Sequence, residues 1–196
     1  MIAVIDYKAG NLTSVMKAVR AVGAEAVATS DPDVVMRADK LVLPGVGHFS
    51  ATTFLEERGL RPAIEERVGA GIPFLGICVG LQWLFAGSTE APHTAGLNAF
   101  AGRCERFAEG IKVPHVGWNS IQVSESRLLQ GISSGAFVFF THSYRAPIVN
   151  GTVAVTEYGL PFTAAVERDN IMGVQFHPEK SGAVGLQILE NFVRLP

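Results

Sequence analysis

The sequence predicts an α/β fold, with a mixed, largely parallel central sheet flanked by helices and residues 1–196 forming a single domain. Two patterns carry that expectation. In the first half, short apolar runs of strand length alternate with stretches whose apolar residues recur at helical spacing, as in a parallel sheet covered on both faces. In the second half, five β-like segments follow one another with tight turns between them, so antiparallel strands should come late. The composition permits a full core: 48% of the 196 residues are apolar and 17% charged, the reverse of a disordered chain's balance.

Taken in order, Ile2–Ile5 reads as a buried strand. Asn11 can cap a helix carrying Leu12, Val15, Met16, Val19 and Val22 on one face, with Gly23 as its stop. Strands follow over 26–28 and Lys40–Leu43, the latter running into Pro44-Gly45-Val46-Gly47. A helix over 61–68 ends at Gly69 and Gly71, before a strand over 73–77 and a helix over 79–85. Five further strands are expected over 117–123, 137–141, Thr152–Glu157, 162–167 and 171–176, with Arg168-Asp169-Asn170 as the hairpin turn between the last two. A final helix over 182–195 turns Val184, Ile188, Leu189 and Phe192 inward. In such sheets active sites gather at the carboxyl edge of the strands. The loops 44–49, 76–80 and 177–181 all follow predicted strands and should meet there.

Sixteen Lys and Arg against eighteen Asp and Glu leave a net charge of −2, so no basic field points to nucleic acid or to an anionic membrane. No apolar run approaches the ~20 residues that span a bilayer. Two cysteines, Cys78 and Cys104, make no disulfide framework, and a reducing, cytoplasmic setting is expected. No histidines are paired at helical spacing, and there is no Cys-x-x-Cys and no phosphate-binding glycine loop, so neither a metal nor a cofactor is expected.

The sharpest local signal is Gly76-Ile77-Cys78-Val79-Gly80, where a strand meets a helix. Glycines two residues to either side let the backbone fold closely beneath the thiol, the arrangement of a nucleophile elbow with cysteine in the serine position. The turn also sets the sulfur near a helix start, where partial positive charge favours thiolate. A lone cysteine is usually inert core; the flanking glycines reverse that reading here. A base is offered by His177-Pro178-Glu179, with Glu179 spaced to orient the imidazole. Of the other histidines, His93 reads as surface, while His48, His115 and His142 are ligand contacts at best; Cys104 reads as buried filler.

These residues resemble the triad-type (class I) glutamine amidotransferases. Four further stretches are similar to the glutaminase subunits of imidazole glycerol phosphate synthases: Asp6-Tyr7-Lys8-Ala9-Gly10-Asn11-Leu12, Leu43-Pro44-Gly45-Val46-Gly47-His48-Phe49, Pro114-His115-Val116-Gly117-Trp118-Asn119 and Thr141-His142-Ser143-Tyr144-Arg145-Ala146. The resemblance implies a flavodoxin-like three-layer fold and hydrolysis of L-glutamine to glutamate and ammonia by Cys78, His177 and Glu179 through a thioester. It implies an oxyanion hole of the Val79 N–H and a second amide at Val46 in the Gly45-Val46 loop. Substrate contacts would come from Gly47, Gln82, Glu90, His142, Ser143 and Tyr144, with Glu90 in the divergent 86–107 stretch. It further implies a heterodimer with a (β/α)₈-barrel cyclase subunit that receives the ammonia and makes imidazole glycerol phosphate and AICAR. Asn11, Trp118 and Lys180 would face that partner. A glutaminase of another pathway, a cysteine hydrolase of the same superfamily and a binding module with a decayed site are the competing readings; the intact Cys78, His177 and Glu179 speak against the last.

Overall fold

The short apolar runs of the first half form strands in the computed structural model, which describes residues 1–8 and 11–196. In chain order the strands are β1 (Ile2–Ile5), β2 (Ala26–Thr29), β3 (Lys40–Leu43), β4 (Phe74–Ile77), β5 (Glu105–Arg106), β6 (His115–Val123), β7 (Ala136–His142), β8 (Tyr144–Arg145), β9 (Thr152–Glu157), β10 (Pro161–Arg168) and β11 (Ile171–Val174). Nine of them make one sheet, β2-β1-β3-β4-β11-β10-β9-β6-β7. The first five in that order are parallel and the rest antiparallel. β5 and β8 form a separate short ribbon. The parallel strands β1 and β4 are buried at every position because helices cover both faces, whereas β6 alternates buried and exposed residues with one face open. Asp169 holds a φ of 52° in the two-residue turn joining β10 and β11, a conformation that Asp tolerates better than most residues.

Helices α1 (Leu12–Ala21), α2 (Pro32–Arg37), α3 (Thr53–Glu57), α4 (Leu60–Gly69), α5 (Val79–Trp83) and α6 (Gly182–Arg194) pack around the sheet, with 3₁₀ turns at Phe49–Thr52 and Pro178–Lys180. α1 buries Val15, Met16, Ala18 and Val19. α6 buries Ile188, Leu189 and Phe192, while Val184 is only half-buried. Burying each large side chain of this kind contributes roughly 1.5–3 kcal/mol.

The expected Asn11 cap and the expected length of α5 need correction. Asn11 precedes α1, but its side chain caps nothing; its φ of −87° and ψ of 57° lie outside the extended region that aims a capping side chain at the helix. Its backbone carbonyl accepts from the Ser14 and Val15 amides instead. α5 stops at Trp83, and Leu84 and Phe85 continue with tighter i→i−3 bonds. α2 and the 49–57 segment were not foreseen. Six residues are too few to show a helical period, although Asp31, which accepts from the Asp33 N–H at 2.9 Å, and Pro32 at the first helical position mark the start of α2. Ala9 and Gly10, in the middle of the 6–12 stretch, lie outside the described residues.

β3, β4 and β11 are neighbours, with Leu43 opposite Gly76 and Val174 opposite Ile77. Their carboxyl ends therefore share one edge of the sheet, and the loops at 44–49, 76–80 and 177–181 leave from it. Among the described residues no helix is long and apolar enough to cross a membrane.

Candidate active site

Cys78 sits between β4 and α5 with φ 56° and ψ −106°, a backbone conformation that L side chains rarely adopt and that the surroundings must hold in place. The flanking glycines are required by close approach. A Cβ on Gly80 would overlap the Leu43 carbonyl oxygen, and one on Gly76 would overlap the backbone of Gly80. Gly45 obeys the same rule: a Cβ there would meet the Tyr7 hydroxyl and lie 2.6 Å from Val79 Cβ. Gly47 differs, with a φ of 98° and open space around it. The elbow and the 45–47 loop are thus pressed against each other, and Cys78 is 3% exposed between them.

His177 is tied down from three sides. Its N–H donates to the Phe139 carbonyl at 2.9 Å, its carbonyl accepts from Ser181 Oγ at 2.6 Å, and its Nδ1 lies 2.8 Å from Glu179 Oε1. Both side chains of the His177–Glu179 pair are buried. Burial by itself would lower the imidazole's pKa. The neighbouring Cys78 sulfur and the Glu179 side chain outweigh it and raise His177 to about 9. At neutral pH the ring is therefore an imidazolium. His177 Nε2 is buried and has no hydrogen-bond partner, which leaves it free for a proton in transfer. Cys78 Sγ lies 3.6 Å from Gln175 Nε2 and 3.9 Å from the Thr141 carbonyl.

In front of the sulfur opens a cavity of about 190 Å³ lined by Gly47, Cys78, Val79, Gln82, Glu90, Pro114, Thr141, His142, Ser143 and Tyr144. It falls below the roughly 300–1,000 Å³ of drug-sized ligand sites, which suits one small metabolite. All six residues expected to contact substrate line it. Glu90 reaches it from the divergent stretch because its carboxylate accepts from the Phe49 N–H at 2.8 Å. Val46 is half-buried in the adjoining loop and does not line the cavity. His48 is exposed and bonds Ser50, His93 is exposed, and Cys104 is fully buried, its thiol pushed up by desolvation. Among the described residues no group of three or more His, Cys, Asp or Glu could hold a metal ion.

Sequence reasoning gave no role to Gln175, Thr141 or Tyr7. Gln175 offered only its place, a polar residue between the apolar Val174 and Phe176, and the fold buries it fully. Tyr7 carried no signal; its buried hydroxyl lies under Gly45 without a hydrogen-bond partner, and burial, then the charge of Cys78, raise its pKa. Of the residues expected to meet a partner, Trp118 is 55% exposed, Asn11 is half-buried, and Lys180 is exposed with its ammonium 5.8 Å from the Phe139 ring.

Comparison with known proteins adds to the geometry. The family model described as glutamine amidotransferase class-I matches residues 3–195. The imidazole glycerol phosphate synthase subunit HisH of Methanothermobacter thermautotrophicus is 52% identical over 100% of this chain and 98% of its own length. The protein of the same name in Thermococcus kodakarensis is 50% identical, with 100% of both chains covered. Among solved structures, a glutamine amidotransferase aligns at a TM-score of 0.78 with 20% identity, covering 98% of this chain and all of that one. A chain of PurLQS from Thermotoga maritima aligns at 0.71 with 17% identity, covering 98% and 96%. At those identities the two structures speak for the fold alone.

Proposed function

The chain belongs to the class-I glutamine amidotransferases, and from that premise we propose that it is the glutaminase subunit of an imidazole glycerol phosphate synthase in histidine biosynthesis. Cys78, His177 and Glu179 are its triad. The observation that carries the reading is the position of Cys78, held at a φ of 56° in the cavity wall, beside an imidazole whose Nδ1 lies 2.8 Å from Glu179 and whose buried Nε2 is unpartnered.

The sulfur attacks the side-chain amide carbon of L-glutamine, and the carbonyl π electrons move to oxygen. The Val79 N–H stabilises that oxyanion from the cavity wall, and the Val46 amide joins it once the 45–47 loop turns inward, each donor being worth on the order of 3 kcal/mol. His177 gives its proton to the amide nitrogen, the C–N bond breaks, and ammonia leaves behind a thioester on Cys78. The now neutral imidazole takes a proton from water as it attacks the thioester, and the collapse of that second tetrahedral intermediate releases glutamate and restores the starting charges. Glu179 stabilises the imidazolium at both stages and fixes which nitrogen faces the sulfur. Gly47, Gln82, Glu90, His142, Ser143 and Tyr144 hold the substrate.

The ammonia then passes to a cyclase subunit with a (β/α)₈ barrel in a heterodimer. Two things support the partner. The relatives at 52% and 50% identity are named as subunits of a synthase. Val116, Trp118 and Phe137, all more than half exposed, form an apolar patch on β6 and β7 that a lone soluble chain would rarely leave open. The patch continues through Phe139 to Lys180, beside Glu179. Asn11, Trp118 and Lys180 are the residues assigned to the contact, and two unpaired, buried cysteines favour the cytoplasm as its setting. The deciding experiment measures glutamate release from glutamine by the chain alone, with such a cyclase, and with the cyclase and its ligand. Low release alone and strong release in the liganded complex are expected. No release in the complex, or equal rates under all three conditions, would overturn the assignment.

A further inference from the structure

His115 and His142, which take no part in the proton transfers above, form a directed chain of hydrogen bonds ending at the cavity wall. His142 Nδ1 lies 2.8 Å from the Tyr144 carbonyl oxygen, an acceptor, so Nδ1 carries the proton. Its Nε2 is then an acceptor, and His115 Nδ1 stands 3.0 Å away and donates to it. His115 Nε2 in turn faces the Asn119 amide nitrogen at 3.5 Å, and that amide also donates to the Glu157 carbonyl at 2.8 Å. The Tyr144 carbonyl at the far end accepts a second hydrogen bond, from Gln82 Nε2 at 2.9 Å. The other hydrogen of that nitrogen goes to Gln175 Oε1 at 3.3 Å. With both hydrogens engaged, the oxygen of Gln82 is the atom left for the cavity it lines.

The chain keeps one direction because both rings stay neutral. His115 is sandwiched between Tyr158, at 4.0 Å between centroids, and Phe140, at 4.9 Å, with Phe107 and Phe162 edge-on. Desolvation lowers its pKa to about 4 and that of His142 to about 3. An imidazolium at either position would have no acceptor for its extra proton in this chain.

We infer that His115 is a positioning residue for the glutamine site: by donating to His142 it sets that ring's tautomer, which anchors the Tyr144 carbonyl and turns the Gln82 amide so that its oxygen meets a nitrogen donor of the substrate. The inference rests on the glutaminase reading and deepens it. Its test compares His115→Phe, which keeps the stack and removes the donor, with His115→Asn, which restores an N–H near the position of Nδ1. Glutamate release is measured across glutamine concentrations in the cyclase complex. Alkylation of Cys78 by iodoacetamide, which needs no glutamine pocket, is followed alongside, and nitrogen NMR reads the tautomer of His142. His115→Phe should raise KM about tenfold, as for one lost buried hydrogen bond, with kcat within about twofold, the iodoacetamide rate unchanged and His142 no longer held as the Nδ1–H form. His115→Asn should recover part of the KM. If His115→Phe does not fold, His115→Gln, whose amide nitrogen falls nearer the place of Nε2, should show the same rise. An unchanged KM, or KM, kcat and alkylation all shifting together with a lower melting temperature, would overturn the inference while the glutaminase reading stood. A wild-type complex that releases no glutamate would overturn both.

Discussion

Replacing Glu179 by Gln removes one negative charge and little else. The amide has the shape of the carboxylate, and its oxygen can still accept from His177 Nδ1 across the 2.8 Å contact. What changes is the strength of that bond. A hydrogen bond to a charged group contributes about 1.5–3 kcal/mol against about 0.5–1.5 for a neutral one, so a buried pair such as this should lose on the order of 1.5 kcal/mol of imidazolium stabilisation. That corresponds to about one pKa unit and about a tenfold loss in rate wherever the imidazolium is needed. The direction follows from the causes: burial pushes His177 down, Cys78 and Glu179 hold it up at about 9, and neutralising Glu179 must lower it. The assay is glutamate release by the cyclase complex as a function of pH. The wild type should lose activity on an alkaline limb near pH 9, as His177 gives up the proton that the leaving ammonia needs. Glu179→Gln should keep measurable turnover, lowered about tenfold, with the limb displaced to lower pH by about one unit. A variant with wild-type rate and an unmoved limb would refute the role given to Glu179.

Three further outcomes follow from the same geometry. A glutamine-like electrophile should modify Cys78 and spare the fully buried Cys104, and Cys78→Ala should abolish glutamate release while melting close to the wild type; peptide mapping with the label mainly on Cys104 would contradict this. Gly80→Ala forces a Cβ into the Leu43 carbonyl oxygen, a backbone atom that cannot swing aside, and should cost more than about 3 kcal/mol in denaturant unfolding or prevent folding altogether, whereas Gly47→Ala, with open space around it, should show only the strain of its φ. Because His177 is raised in the folded chain above its ordinary 6.5, its stabilising share is full below that pH and fades as pH climbs through about 9; unfolding free energy should fall across that window, and by less in Glu179→Gln.

What could be read from the sequence divides along a physical line. The strands and long helices were legible because burial writes a period into the chain, as in the four apolar residues of β1 and the stripe of α1. The short helices 32–37 and 53–57 were not, since they complete fewer than two turns. The Cys78 elbow was legible through its glycines, and the structure supplies their reason, the approach of Leu43 and Gly45 to the turn. Gly45 is held small in the same way, because Tyr7 and Val79 are close. Glu90 came only through resemblance, and nothing local predicted it. Its place in the cavity wall depends on a bond to Phe49, 41 residues away. Gln175 and the His115–His142 pair were hidden for the same reason: each gains its meaning from partners that only the folded sheet brings together.

The central claim is that glutamine is hydrolysed through a thioester on Cys78, and competition between water and hydroxylamine for the acyl group tests it most directly. The wild-type complex should convert glutamine partly to γ-glutamyl hydroxamate, in a share that rises with hydroxylamine at the expense of glutamate, and Cys78→Ala should form neither. Glutamate as the sole product at every hydroxylamine concentration, or hydroxamate formed equally by Cys78→Ala, would contradict the account.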